Sequence, residues 1–424
     1  MKKNPHLHRI DIDGTACLCP DTCGVMQGLK NITLNPTALL LWNNLDNSTD
    51  AASLVNTITP IINMSDKKDT SVLYEDVNAF LDSMKKVGAI IEKEPACENN
   101  KKTDRIMPAS LSDPLTKHFF IGGINVSISC SSDFKDVLDR LSVGFFRDFD
   151  PEKNNTDNTE AEPKISILLH SSESASEAHA LPDDNKHGLM FETNELAVYD
   201  SGSHIVTKYN SHTFPQVPYV TVSKESGTIA AYVTAMHFCT DIAVLCEELF
   251  FALRFPYLLT AARFKRYMLH SSSVLMNGKV YCFSAPSGTG KSTHTEKLCR
   301  LYNAKPVNGD LNLIGYDDMH KQFMVYGTPW CGTSGAADPH TYPLGGIFLL
   351  KRGAVPQIKS MTNIDKILSV SNRMITPVLC HDALSEKLGF IRELSADPGI
   401  DISQLFASLG DESADCSAKH ILNP

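Results

Sequence analysis

Apolar residues recur at helical spacing in three places early in the chain. Ala38, Leu41, Trp42 and Leu45 fall at i, i+3, i+4 and i+7, which is one face of a 3.6-residue period. Asn35 and Pro36 stand just before them. They read as an N-cap and a first helical residue, because Asn accepts an orphan helix N–H and proline has no N–H to leave unpaired there. Leu54, Ile58, Ile61 and Ile62 mark a second helix, and Val77, Phe80, Leu81 and Met84 a third. Gly88 ends it, and Ala89-Ile90-Ile91 reads as a short strand. Residues 1–94 are therefore expected to form a small winged-helix-like module, followed by a polar linker over 95–108.

Past the linker the period changes from 3.6 to two. Phe119 and Ile121, then Gly122-Gly123, then Ile124, Val126 and Ile128 predict a β-hairpin. Phe134, Val137, Leu138 and Leu141 predict a short helix. Strand-like pieces follow at 165–169, 197–199, 219–222 and 228–233, separated by polar stretches at 150–164 and 171–188. Ile242, Cys246, Leu249, Phe250 and Leu253 line one face of a helix over 241–263, which Pro256 kinks or splits. Glu247 and Glu248 are expected on its solvated side. Residues 109–263 thus read as a β-rich segment. From 264 onwards Val274-Leu275-Met276, the tight turn Asn277-Gly278 and the strand Val280 to Phe283 predict a second hairpin. Ile347 to Leu350 is a further buried strand. After residue 363 the pattern is helical, through Ile364, Ile367 and Leu368 and then Leu384, Leu388, Phe390 and Ile391, and it weakens from Asp411. The fold class expected is α/β (α+β), with 264–424 a mixed-sheet domain carrying a helical tail.

Composition narrows the function classes. A net charge of −10 over 424 residues argues against a nucleic-acid surface. No apolar run reaches membrane-spanning length. No apolar core follows the two lysines of MKKNPHLHRI, so no secretory signal is read, and a cytoplasmic protein with its twelve cysteines reduced is the expectation. A homo-oligomer is compatible with all of this. Cys17, Cys19 and Cys23 form a C-x-C-x3-C cluster that would hold Zn²⁺ only with a fourth ligand, such as His8 or Cys97. Lacking a paired C-x2-C, the three are read as uncommitted thiols.

The stretch with the most chemistry is Tyr281 to Thr293, YCFSAPSGTGKST. Gly288 and Gly290, with Ser287 and Thr289, let backbone N–H groups turn around phosphate oxygens. Lys291 offers a charge to the β- and γ-phosphates, and Ser292 offers a hydroxyl to Mg²⁺. The helix starting near Lys291 points its positive end at the same anion. ATP and Mg²⁺ are the cofactors this implies. The strict pattern wants glycine at 285, where this chain has Ala285. Downstream, Asp310 follows a strand, where a carboxylate can hold Mg²⁺ or take the proton of an attacking hydroxyl. His270 either supports the sheet or stands near the phosphates. Arg352, at a strand end, reaches phosphate or makes a surface ion pair. Asp317 and Asp318 read as a hairpin tip. Trp330, between Pro329 and Gly332, reads as part of a rigid segment lining a pocket.

Two resemblances join these readings. TLNPTALLLWNNL and the helix ending MKKVGAII resemble the PqqD family, also called the RiPP recognition element. That implies a module which captures a leader peptide as an added strand. LHSSSVLMNGKVYCFSAPSGTGKST, NGDLNLI, YGTPWCG and GGIFLLKRG, in that order, resemble the HPr-kinase-like group related to phosphoenolpyruvate carboxykinase. That resemblance implies transfer of the γ-phosphoryl group of ATP to a serine hydroxyl. It gives the phosphates to Ser287, Gly288, Thr289, Gly290, Lys291, Ser292 and Thr293, with Ser292 also on Mg²⁺. Asp310 matches the second member of the group's Asp-Asp pair, and His270 matches the histidine preceding the loop strand. Two departures stand out. Gly309 replaces the first Asp. No lysine follows the GTPW segment, leaving Arg352, Arg263 or Arg266 as replacement cations. Together the two resemblances imply a kinase for Ser or Thr of a leader-bearing precursor peptide. The alternatives are a kinase of free serine, a small molecule or a carrier protein, and a non-catalytic protein that binds ATP and peptide.

Overall fold

In the computed structural model, which describes residues 2–45, 50–62, 67–91, 111, 113–150, 163–172, 188–234, 241–286 and 288–423, Asn35 caps its helix as its chemistry predicts. Its side chain accepts from the Ala38 N–H at 2.8 Å, with Pro36 as the first helical residue. The predicted linker, the polar stretches 151–162 and 173–187, Cys97 and Ser287 lie outside the described residues. Helices and strands are mixed throughout, compatible with the α/β expectation. The chain divides into two compact units. The first takes the described residues within 1–101, 187–193 and 378–385, and the second takes the rest.

In the first unit, β1 (Lys2–Lys3), β2 (Leu7–Ile12), β3 (Thr15–Pro20), β4 (Ile32–Leu34) and β5 (Ile90–Ile91) form two small antiparallel sheets, β1-β5 and β2-β3-β4. Helices α1 (Thr22–Met26), α2 (Pro36–Asn44), α3 (Ala51–Ile58) and α4 (Lys67–Lys86) accompany them. Leu18, Leu34, Trp42, Leu45, Leu54, Ile58, Val77 and Leu81 close on one core. The second helix is shorter than predicted. It stops at Ile58, because Pro60 has no N–H with which to continue the ladder. Ile61 and Ile62 fall beyond its end and are 52% and 37% exposed.

An eight-stranded sheet comes next. Its strands are β6 (Leu115–Ile121), β7 (Ile124–Cys130), β8 (Lys164–Ser171), β9 (Leu189–Glu192), β10 (Leu196–Asp200), β11 (His204–Tyr209), β12 (Tyr219–Ser223) and β13 (Ile229–Val233). Their order is β6-β7-β8-β13-β12-β11-β10-β9, with β8 parallel to both β7 and β13. Neither β9 nor β11 was legible. β9 is four residues long, and β11 is buried on both faces, so it lacks a two-residue alternation. The short helix predicted around Phe134 to Leu141 is α5 (Lys135–Gly144), and the helix predicted over 241–263 is split into α6 (Ile242–Ala252) and α7 (Arg254–Ala261). Pro256 sits in the first turn of α7, where its missing N–H leaves no bond unmade.

Two side chains here differ from expectation. Glu248 is 7% exposed rather than solvated, because the buried N–H of Gln216 needs an acceptor and the Glu248 carboxylate takes it at 2.8 Å. Burial pushes the Glu248 pKa up. Trp330 is a core residue, not the lining of a pocket. Its indole N–H donates to the Phe250 carbonyl at 3.0 Å, and its ring packs on Phe250 and Tyr257.

The second sheet of this unit has nine strands: β14 (Arg266–His270), β15 (Ser272–Met276), β16 (Lys279–Ser284), β17 (Lys305–Asn308), β18 (Leu311–Asp317), β19 (Gln322–Tyr326), β20 (Tyr342–Arg352), β21 (Gln357–Ser360) and β22 (Asp401–Ala407). The path is β14-β18-β19-β20-β16-β15-β17, with β22 against β20 and β21 against β22. The helices are α8 (Lys291–Tyr302), α9 (Asn363–Ser371), α10 (His381–Ala396) and α11 (Glu412–Leu422). The tail is thus not purely helical. β22 runs parallel to β20 from Gly346↔Asp401 to Arg352↔Ala407. Ser403 and Gln404 interrupt its apolar pattern, which hid it. The weakly patterned end is also a helix, burying the small residues Ala414, Ser417 and Ala418 together with Ile421.

His294 of α8 is buried against Phe283, with Nε2 3.0 Å from the Ser417 hydroxyl. Burial, with the nearby Lys297 charge adding to it, pushes its pKa from 6.5 down to about 4. A depressed histidine contributes stability above its unfolded pKa and loses it as the pH falls towards the folded one. Between pH 6.5 and 4 the second unit is therefore expected to lose about 3 kcal/mol through this residue alone. Urea midpoints against pH check this, and His294→Gln should flatten the slope.

Candidate phosphate-binding site

The site is built on the hairpin β15–β16. Asn277 and Gly278, at φ 49° and 75°, make the tight turn that this dipeptide favours. β16 then runs parallel to β20, so Ser284 emerges beside Leu349. The chain turns through Gly288 (φ 73°) and Gly290 (φ 100°), both in the left-handed region that glycine adopts without strain, and α8 begins at Lys291. Ala285 keeps out of that region, and its methyl is fully buried, so the missing glycine does the loop no harm. Gly288, Thr289 and Gly290 form the described part of the loop, and Ser292 and Thr293 lie exposed in the first turn of α8.

Lys291, His270 and Asp310 come together from three separate elements. Lys291 Nζ lies 3.1 Å from His270 Nε2 and donates to the Ala285 carbonyl at 3.4 Å. The same His270 Nε2 lies 3.1 Å from Asp310 Oδ1. One ring nitrogen therefore faces a cation and an anion. Protonated, it donates to Asp310. Unprotonated, it accepts from Lys291. The hydrogen bond from His270 holds the Asp310 pKa below its usual value, against the opposing effect of burial and with help from the His270 and Lys291 charges. Burial pulls the Lys291 pKa down, while the Asp310 charge works to raise it.

Arg352 ends β20 and donates to the Gly288 carbonyl at 3.1 Å, so its guanidinium stands on the loop itself. Arg263 and Arg266 are committed elsewhere. Arg263 donates to the Glu225 carbonyl, and Arg266 donates to the Tyr316 carbonyl and lies over the Tyr326 ring at 4.2 Å. The cation that sequence reasoning missed is Arg373. With Thr289, Arg352, Asn372 and Gln404 it lines a cavity of about 380 Å³. Arg373 follows α9 in no recognisable motif, which is why spacing gave no sign of it. A second cavity, of about 540 Å³, is lined by Ser272, Ser292, Asn308, Gly309 and Ser334 among others. Asp317 behaves as a turn residue, accepting from the Met319 and His320 N–H groups.

Asp310 is aimed by a buried polar network. Asn308 Oδ1 accepts from the Asp310 and Leu311 N–H groups at 3.0 and 2.8 Å, and its Nδ2 donates to the Trp330 carbonyl at 3.0 Å. Asn312 bridges Ser271 and Ser273 beside it. Asn308→Leu is expected to cost about 3 kcal/mol, because it strands two donors and an acceptor in the interior. The shift in urea midpoint measures it.

Gly309 has a physical reason. A Cβ built there would run into the Ser334 side chain, whose hydroxyl donates to the Cys331 carbonyl at 2.9 Å. The space an aspartate at 309 would need is occupied.

A family match falls in the first unit. Residues 23–90 match the PqqD family, coenzyme PQQ synthesis protein D. The matched stretch runs from within α1 through α4 to the start of β5, so the part of the chain that packs α2, α3 and α4 together is similar to PqqD. The glycine loop and both large sheets lie outside the match. No curated protein matches the chain. Among the described residues no helix is long and apolar enough to cross a membrane.

Proposed function

We propose that the chain is an ATP-dependent kinase of a ribosomally made precursor peptide. In this reading the PqqD domain holds the leader, and the second unit moves the γ-phosphoryl group of ATP to a Ser or Thr hydroxyl of the core. The observation that carries it is the convergence of Lys291, His270 and Asp310 where a glycine loop passes into a helix. Such a helix start draws anions through its dipole and its orphan N–H groups. Arg352 and Arg373 add charge beside it. Ser292 and Asp310 are the hard oxygen donors that would hold Mg²⁺, which would neutralise charge on the β- and γ-phosphates.

The residues divide the work. Lys291, held by Ala285 and His270, meets the charge that develops as the bond from phosphorus to the ADP oxygen breaks. The acceptor hydroxyl oxygen forms the new bond to phosphorus, and its proton passes to Asp310. Asp310 is kept ionised by His270 and aimed by Asn308. Loose phosphoryl transfer depends on position and charge more than on a strong base, so one aspartate suffices. A second reading, binding of ATP and peptide without transfer, is favoured by Ser334 filling the space beside Gly309.

The test uses the full chain, Mg-ATP and the precursor peptide encoded beside its gene, followed by intact mass. A phosphate's mass added to the peptide supports the kinase. ADP release with free serine and an unmodified peptide points instead to a small-molecule kinase. ATP bound but never consumed leaves the binding protein.

A further inference from the structure

A separate cluster of ligand-type side chains lies in the first unit. His6 precedes β2, His8 lies in β2, Asp21 caps α1, and Cys23 is inside α1. His6 Nδ1 and His8 Nε2 approach the same oxygen, Asp21 Oδ2, at 3.2 and 3.0 Å. The ligand atoms of His6, Asp21 and Cys23 all lie within 4.8 Å of one another. Asp21 and Cys23 are buried. Burial alone would raise the Asp21 pKa, but the hydrogen bonds from the two imidazoles and from the Gly24 N–H outweigh it, bringing the value to about 2.

We propose that His6, Asp21 and Cys23 bind Zn²⁺, with His8 completing the set. Nitrogen, oxygen and sulfur ligands at about 2.0–2.3 Å from a tetrahedral ion stand roughly 3.3–3.8 Å apart. The two contacts to Asp21 Oδ2 are already close to that spacing. The ligand set itself selects the ion, since Mg²⁺ and Ca²⁺ prefer oxygen alone, whereas thiolate with imidazole suits Zn²⁺. Asp21 is oriented from behind, because its other oxygen accepts the Gly24 N–H at 2.8 Å, the outer support that metal ligands commonly have. On binding, Cys23 loses its thiol proton and the imidazoles turn lone pairs to the ion, so protons are released. Four protein ligands leave no open position, which makes the site structural rather than catalytic. It would tie β2 to α1. The C-x-C-x3-C run is thereby redrawn: Cys17 takes no part, its thiol instead pointing to the Thr15 carbonyl.

The test titrates Co²⁺ into chelator-treated full-length protein. The expected result is one Co²⁺ per chain, with a thiolate-to-cobalt charge-transfer band and tetrahedral absorption that Zn²⁺ displaces. Cys23→Ser should lose the charge-transfer band and Cys17→Ser should keep it. His8→Ala should weaken Co²⁺ binding at least about tenfold. If Cys23→Ser fails to fold, His6→Ala, altering a half-buried side chain, serves as the second variant and should also weaken binding at least about tenfold. Absence of Co²⁺ binding by the unaltered chain overturns the proposal. So does a charge-transfer band that survives in Cys23→Ser, or one lost equally in Cys17→Ser.

Discussion

Replacing Lys291 with Ala is expected to lower phosphate transfer to the peptide by about 10²- to 10³-fold in kcat, with the chain still folded. Lys291 is 9% exposed, and its ammonium is held between the Ala285 carbonyl and His270 Nε2. It is thus positioned before any nucleotide arrives, and a charge fixed in advance in a partly dry site stabilises developing negative charge far better than a mobile surface lysine. Lys291→Arg should not rescue the loss, because a planar, fork-shaped guanidinium does not reproduce the contacts of a compact ammonium to the Ala285 carbonyl and His270. Initial rates at saturating ATP, alongside peptide binding measured without nucleotide, check both points. A Lys291→Ala rate equal to that of the unaltered chain would sink the assignment of this loop to ATP.

Removing the leader from the peptide is expected to lower kcat/KM by about 10²- to 10⁴-fold while leaving kcat much less changed. Under the proposed function, a leader held by the stretch similar to PqqD would turn the encounter of core and second unit into an intramolecular event, so affinity for the core itself can remain weak. Free leader should accordingly inhibit turnover of the complete peptide and fail to activate the isolated core to the same extent. Steady-state rates with three substrates, complete peptide, isolated core, and core plus leader in trans, make the measurement. Equal kcat/KM with and without the leader would detach the two units' roles and favour a small-molecule acceptor.

What the sequence revealed and what it hid divide along physical lines. α2 and α4 were legible because Leu41, Trp42, Val77 and Leu81 repeat at helical spacing, and α2 also because its cap, Asn35, is local. The hairpin β15–β16 was legible because Asn277-Gly278 dictates its own turn. The helix start at Lys291 was legible because Gly288, Gly290 and Lys291 are contiguous in sequence. Asn308, Asn312, Ser271 and Ser273 were not, because a buried polar network is assembled across strands and in one dimension looks like loop chemistry. Glu248 was misplaced for the same reason: its partner, the Gln216 N–H, is distant in sequence. Arg373 reaches the cavity only through the packing of α9, and β22 conceals its strand character behind Ser403 and Gln404.

The position of β22 also sets a timetable. The strand bearing Arg352 is bordered along Gly346–Arg352 by residues 401–407, so the sheet that aims Arg352 at the loop stays incomplete until residue 407 has left the ribosome. Residues 23–90, by contrast, emerge early. Roughly 300 residues separate the two events, or about 15–60 s at ordinary rates of synthesis. During that interval a nascent chain would carry the stretch similar to PqqD without a finished sheet beside the glycine loop; under the proposed function, it would engage a leader well before it was able to act on the peptide attached to it.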